Sequence, residues 1–103
     1  MIPLINDHRD ELAECCRKYG VLRLEVFGSA AEADVDADAR DVDLLVEFAH
    51  DRDLGPWMRD YFALRDELAV VLGRSVDLVM AGGMRNAYFI GEVNRTRKLL
   101  YAA

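Results

Sequence analysis

The chain has 103 residues, of which 52% are hydrophobic and 31% charged, and its formal net charge is −6. That length suits one domain, residues 1–103, with a single core, and the composition is that of a folded globular protein rather than a disordered one. The acidic balance argues against direct nucleic-acid binding, which rests on many Lys and Arg contacts to phosphates.

No apolar run approaches the roughly 20 residues of a membrane span. The opening MIPLINDHRDE has neither the basic nor the long apolar region of a signal peptide. A cytoplasmic protein without membrane contact is expected.

In chain order, residues 6–19 read as a helix. Asn6 or Asp7 can cap it, acids fill its first turn and Gly20 follows it. Leu12, Cys15, Cys16 and Tyr19 fall at i, i+3, i+4 and i+7, one buried stripe. The adjacent cysteines lack metal-ligand spacing and make a poor disulfide, so they read as ordinary buried helix residues.

VLRLEVF, residues 21–27, alternates as a strand does. Gly28-Ser29 then opens a short helical turn, SAAEA. VDLLVEF, residues 42–48, is a second strand. A helix from Pro56 to Leu72 follows, with Pro at its first position and Gly73 just past its end. Its apolar face is Trp57, Tyr61, Leu64, Leu68, Val71 and Leu72, which places Trp57 and Tyr61 in the core.

SVDLVM, residues 75–80, is a third strand. After Gly82-Gly83 comes a helix from Met84 to about Val93. The tail TRKLLYAA is compatible with a short strand or with an extension of that helix. The whole is an α/β or α+β fold, one small sheet with helices packed on it. His8 and His50 stand alone and read as surface residues.

Between Phe27 and Phe48 lie five aspartates, Asp34, Asp36, Asp38, Asp41 and Asp43. The first three match the start of an EF-hand loop, but Ala39 and Leu45 stand where that loop needs Gly and Glu, so a calcium loop is rejected. They read instead as a solvated, mobile loop. Asp41 and Asp43 begin a strand two residues apart, which points both carboxylates to one face. Like charges that close need a cation between them or a shared proton.

Asp77 sits between Val76 and Leu78 in another apolar strand, where a lone charge is costly to bury. If the two strands are neighbours, Asp41, Asp43 and Asp77 converge. That set suits a hard divalent cation such as Mg²⁺. Gly28 permits a tight turn and a close backbone approach, and Ser29 at a helix start leaves N–H groups facing outward for a phosphate. Arg95, Arg97 and Lys98 are the compact basic cluster, either an exposed turn or a contact to a nucleotide or an acidic partner.

FGS, the spacer Ala30 to Arg40, DVDLLVEF and the later VDLV together resemble the minimal nucleotidyltransferase (MNT) family of the DNA polymerase β superfamily, in particular the MntA-like antitoxins of HEPN/MNT toxin–antitoxin pairs. The resemblance implies a mixed sheet with flanking helices and an ATP substrate bound with two Mg²⁺ ions. It implies that Gly28 and Ser29 contact the triphosphate, that Asp41, Asp43 and Asp77 bind the metals, and that Asp77 helps activate the attacking hydroxyl.

It further implies AMP transfer to a HEPN-domain toxin, on a tyrosine, within a homo- or hetero-oligomer of unspecified size. The chain departs from the family in one stretch: Glu32 and Ala33 stand where members often carry Arg-Gly, and Arg40 stands where a Ser often precedes the paired Asp. The alternative is therefore a catalytically silent member that neutralises its toxin by binding alone.

Overall fold

The computed structural model describes residues 1–103. The first helical stretch is two helices, α1 (Pro3–Asp7) and α2 (Arg9–Lys18), rather than one. The break is at His8, whose φ of −118° and ψ of 18° leave the helical region. Neither Asn6 nor Asp7 caps α2; Asn6 instead accepts from Arg9 Nε at 3.1 Å, and the His8 ring donates Nδ1–H back to the Leu4 carbonyl at 2.8 Å. Leu12, Cys15 and Cys16 are buried as their spacing predicts. Burial pushes the Cys16 thiol up to about 12, so it is an inert core group.

The remaining elements are β1 (Val21–Phe27), α3 (Ser29–Glu32), β2 (Val42–Phe48), α4 (Arg59–Leu72), β3 (Val76–Met80), α5 (Ala87–Thr96) and β4 (Lys98–Ala102). The sheet order is β3-β2-β1-β4. β2 and β3 run parallel, joined by the α4 crossover, while β1 is antiparallel to both β2 and β4, so the sheet is mixed. The tail is thus a strand. The amphipathic helix before it starts at Ala87 rather than Met84, because Asn86 is the N-cap and its side chain accepts from Phe89 N at 3.1 Å, and it runs to Thr96, three residues beyond the expected end.

Alternation divides the sheet into two faces. Leu24 and Val26, Val42, Leu44 and Val46, and Val76 and Leu78 join Leu12, Cys16, Leu64, Leu68 and Leu72 in the main core under α2 and α4. The opposite face is covered only in part. There α5 lays Val93 over Phe27 and Leu45, and the rest stays open.

Trp57 is not in the core; it is 94% exposed. Pro56 begins a 3₁₀ turn, and Trp57 and Met58 both have positive φ, 57° and 56°. The helical period therefore starts only at Arg59, and the apolar stripe extrapolated back from Leu64 does not reach Trp57. Tyr61 is half-buried on α4. No helix is long and apolar enough to cross a membrane.

Candidate active site

The open face carries the acids. Register pairs Phe27 with Asp43 and Asp43 with Asp77. The three form a row across β1, β2 and β3, about 4.8 Å from strand to strand. Val42 and Leu44, with their side chains on the other face, are fully buried and hold β2 in this register.

The Asp43 carboxyl is pushed up to about 6, first by burial, then by the charge of Asp77, a hydrogen bond with it, and the charge of Asp41. Asp41 itself is exposed in the bend before β2. The strand begins at Val42, whose N–H donates to Ser75 O at 2.9 Å, so strand alternation does not govern Asp41. The expected convergence of three carboxylates is a close pair with Asp41 standing off, and no group of three His, Cys, Asp or Glu side chains is gathered to hold a metal.

Gly28 closes β1 beside this pair. Its φ is +69°, and a Cβ added there would meet Asp43 Oδ2 at 2.7 Å. Both facts demand glycine: the left-handed backbone strains any side chain, and the carboxylate leaves no room for one. The Gly28 carbonyl accepts from Ala31 N at 3.0 Å and Glu32 N at 3.2 Å, which winds α3 and leaves Ser29 exposed at its start.

Around the free edge of β3 runs a cleft of about 400 Å³, lined by Phe27, Asp43, Asp77, Tyr61, Arg65 and Phe89 among others. Phe89 packs its edge against Phe27 at 5.8 Å, and the Tyr61 hydroxyl donates to the Leu78 carbonyl, fixing the α4 wall to the strand edge. A second cleft of about 530 Å³ beyond the far ends of β2 and β3 contains none of Asp41, Asp43 and Asp77.

The nucleotidyltransferase domain matches residues 9–100. The chain belongs to the nucleotidyltransferase domain family. It is 35% identical over 85 residues to a Methanocaldococcus jannaschii protein named "Putative protein adenylyltransferase", covering 82% of this chain and 79% of that one. A solved structure described as a "putative minimal nucleotidyltransferase" superposes with a TM-score of 0.69 at 31% identity, covering 91% of this chain and 90% of the other. The fold also matches a chain from the complex of tri-AMPylated Shewanella oneidensis HEPN toxin with MNT antitoxin, with a TM-score of 0.66 at 20% identity, covering 96% and 73%.

In this member of the family the basic cluster at the end of α5 is engaged by the chain itself. Arg95 pairs with Glu32 at 2.7 Å. Buried Thr96 accepts the Gly28 N–H at 2.9 Å and donates to the Glu92 carbonyl at 3.1 Å. Arg97 places its fork on buried Glu25 at 2.6 and 2.7 Å, and Lys98 donates to the Ala31 carbonyl at 2.7 Å. Four consecutive side chains thus clasp the end of β1 and the turn after it.

The Arg97 guanidinium holds the Glu25 carboxyl below the usual range. Glu32, the acid in the stretch that departs from the family, has its charge matched by Arg95. Arg40 is exposed.

The acidic loop is also less free than its composition suggests. Asp34 and Asp38 are exposed, but Asp36 accepts from Leu4 N at 3.0 Å, and Arg74 donates to the carbonyls of Asp36 and Ala39. Sequence reasoning missed Thr96, Arg65 and Phe89 at the site. Arg65 lies four residues after Tyr61, on the same side of α4; for Thr96 no local signal exists, because its partner is 68 residues away.

Proposed function

We propose that this chain transfers AMP from ATP to a protein acceptor, and that the acceptor is a HEPN-domain toxin with which it forms a hetero-oligomer as antitoxin. The observation that carries this reading is the Asp43–Asp77 pair with the Gly28 turn packed against Asp43. One end of that arrangement is a backbone turn at which Ser29 is exposed to incoming phosphate oxygens. The other is a crowded pair of carboxylates whose mutual repulsion a hard cation with oxygen ligands relieves.

Asp43 and Asp77, with Asp41 at the rim, would hold Mg²⁺, which when bound neutralises charge on the phosphoryl oxygens. The Gly28-Ser29 turn grips the leaving end of the triphosphate. Asp77 accepts the proton of the attacking hydroxyl, and Asp43 stands beside it in register on β2. The matching protein adenylyltransferase name and the AMPylated toxin complex support transfer of AMP in particular.

Intact-mass measurement of the HEPN partner after incubation with the chain, ATP and Mg²⁺ tests this. The expected result is a gain of whole adenylyl units, abolished by the Asp41→Asn, Asp43→Asn double variant. Undiminished transfer by that variant would end the assignment of roles.

One observation favours neutralisation by binding alone. The Gly28 N–H, a donor a phosphate could use, is already given to Thr96. On that reading the same double variant still protects cells from the toxin, and the mass of the toxin never rises.

A further inference from the structure

We infer that Arg65 reads the acceptor: it receives a carboxylate flanking the acceptor hydroxyl, so the preferred acceptor is a hydroxyl side chain set among acidic residues. The inference rests on the AMP-transfer reading and deepens it by naming the acceptor class.

Phosphoryl transfer is in line, with the attacking and leaving oxygens on opposite sides of phosphorus. Gly28 ends β1, Asp43 lies on β2 and Asp77 on β3, in that order across the sheet. With the leaving end at Gly28-Ser29, the attacking hydroxyl arrives over the free edge of β3. Its oxygen bonds to the α-phosphorus as the bond from that phosphorus to the bridging oxygen of pyrophosphate breaks. The electron pair leaves with pyrophosphate, and the hydroxyl proton passes to Asp77.

The wall on that side is α4. Arg65 is the one cation in the cleft lining. Two strand spacings, about 10 Å, separate the β1 and β3 rows, which leaves Arg65 on the acceptor flank rather than the triphosphate flank.

No buried acid consumes its charge. Its ion pair is with the next residue, Asp66, at 3.1 Å, and both side chains are open to water at 41% and 68% exposure. Such a pair contributes little and exchanges readily. The guanidinium lies 5.0 Å from the centre of the Phe62 ring, and Phe62 packs its edge on Tyr61 at 4.9 Å. Tyr61 is anchored to Leu78. Nε and Nη2 both donate to Asp66 Oδ1, at 3.2 and 3.1 Å, and the outer Nη1–Nη2 edge is left for a bidentate carboxylate. An acidic acceptor entering a cleft that already holds Asp43 and Asp77 needs that counter-charge.

The test uses the full chain with ATP, Mg²⁺ and two tyrosine peptides, one flanked by glutamates and one by lysines, with a non-hydrolysable ATP analogue titrated in parallel. The wild type is expected to favour the acidic peptide in kcat/KM by about tenfold, Arg65→Gln to lose the preference and Arg65→Glu to reverse it. Affinity for the analogue stays within about twofold throughout, because the charge change acts only on the acceptor.

An unchanged preference in Arg65→Glu overturns the inference. So does weakened analogue binding in that variant, which would move Arg65 to the nucleotide. Absence of transfer by the wild type to either peptide while the analogue binds also overturns it. Failure of the wild type to bind the analogue removes the AMP-transfer reading itself.

Discussion

Gly28 and Asp43 constrain each other more tightly than any other pair at the site. Gly28→Ala puts a methyl where Asp43 Oδ2 stands and also strains a backbone at φ +69°. We expect a stability loss of about 1–3 kcal/mol in a urea titration and loss of the AMP transfer proposed above. Asp43→Asn does the reverse to stability. It removes one of two crowded charges and lets an amide donate to Asp77, so without divalent cations the variant should melt above wild type while transfer is lost. A lower melting temperature would mean that the pair is already relieved in the resting protein. The orientation of Asp43 was legible in the sequence because period-two alternation with buried Val42 and Leu44 fixes it. The contact with Gly28 was not, since it depends on the β1–β2 register.

The elements around the site show where local pattern carries information and where it stops. The strands at 21–27 and 42–48 were readable from alternation, and β3 begins one residue late. The starts of α4 and α5 were not readable, because left-handed residues at Trp57 and Met58 and a side-chain cap at Asn86 override helical spacing. The clasp of residues 95–98 was invisible, as each bond it makes to β1 and the turn closes across the fold. Its worth can be measured.

Thr96→Val leaves Gly28 N–H without an acceptor in a buried place, and should cost about 1–3 kcal/mol with a drop in transfer as the turn loosens. Glu25→Gln removes the charged half of the Arg97 fork. A carboxyl held below its unfolded value contributes stability that is complete above that value, about 4.3, and disappears as pH falls through the folded one. The gap in melting temperature between wild type and Glu25→Gln should therefore be widest near neutrality, worth about 1–3 kcal/mol, should begin to narrow below pH of about 4.3, and should close only below the folded value. A gap independent of pH would show that shape, not charge, holds that contact.

For the whole molecule, the sheet is completed by its last strand. β4 pairs with β1, joining residues 98–102 to residues 23–26. Removing residues 98–103 bares the edge of β1, takes buried Leu100 out of the core and takes Lys98 from the Ala31 carbonyl. The truncated chain should lose its cooperative thermal transition in calorimetry, and an unchanged transition would show that three strands suffice. Most of the architecture follows from apolar periodicity. The division of the sheet into a buried face and a half-open acidic one depends on where α5 lands, which periodicity cannot tell. Trp57, the one tryptophan of the chain, stands 94% exposed at the head of α4, close in sequence to the wall assigned to the acceptor. Its indole already has the emission of a ring in water while the protein is folded. Tryptophan fluorescence will therefore be nearly blind to unfolding, yet a toxin or peptide settling over that end of α4 would shift it to the blue. The molecule carries an optical reporter of docking rather than of stability.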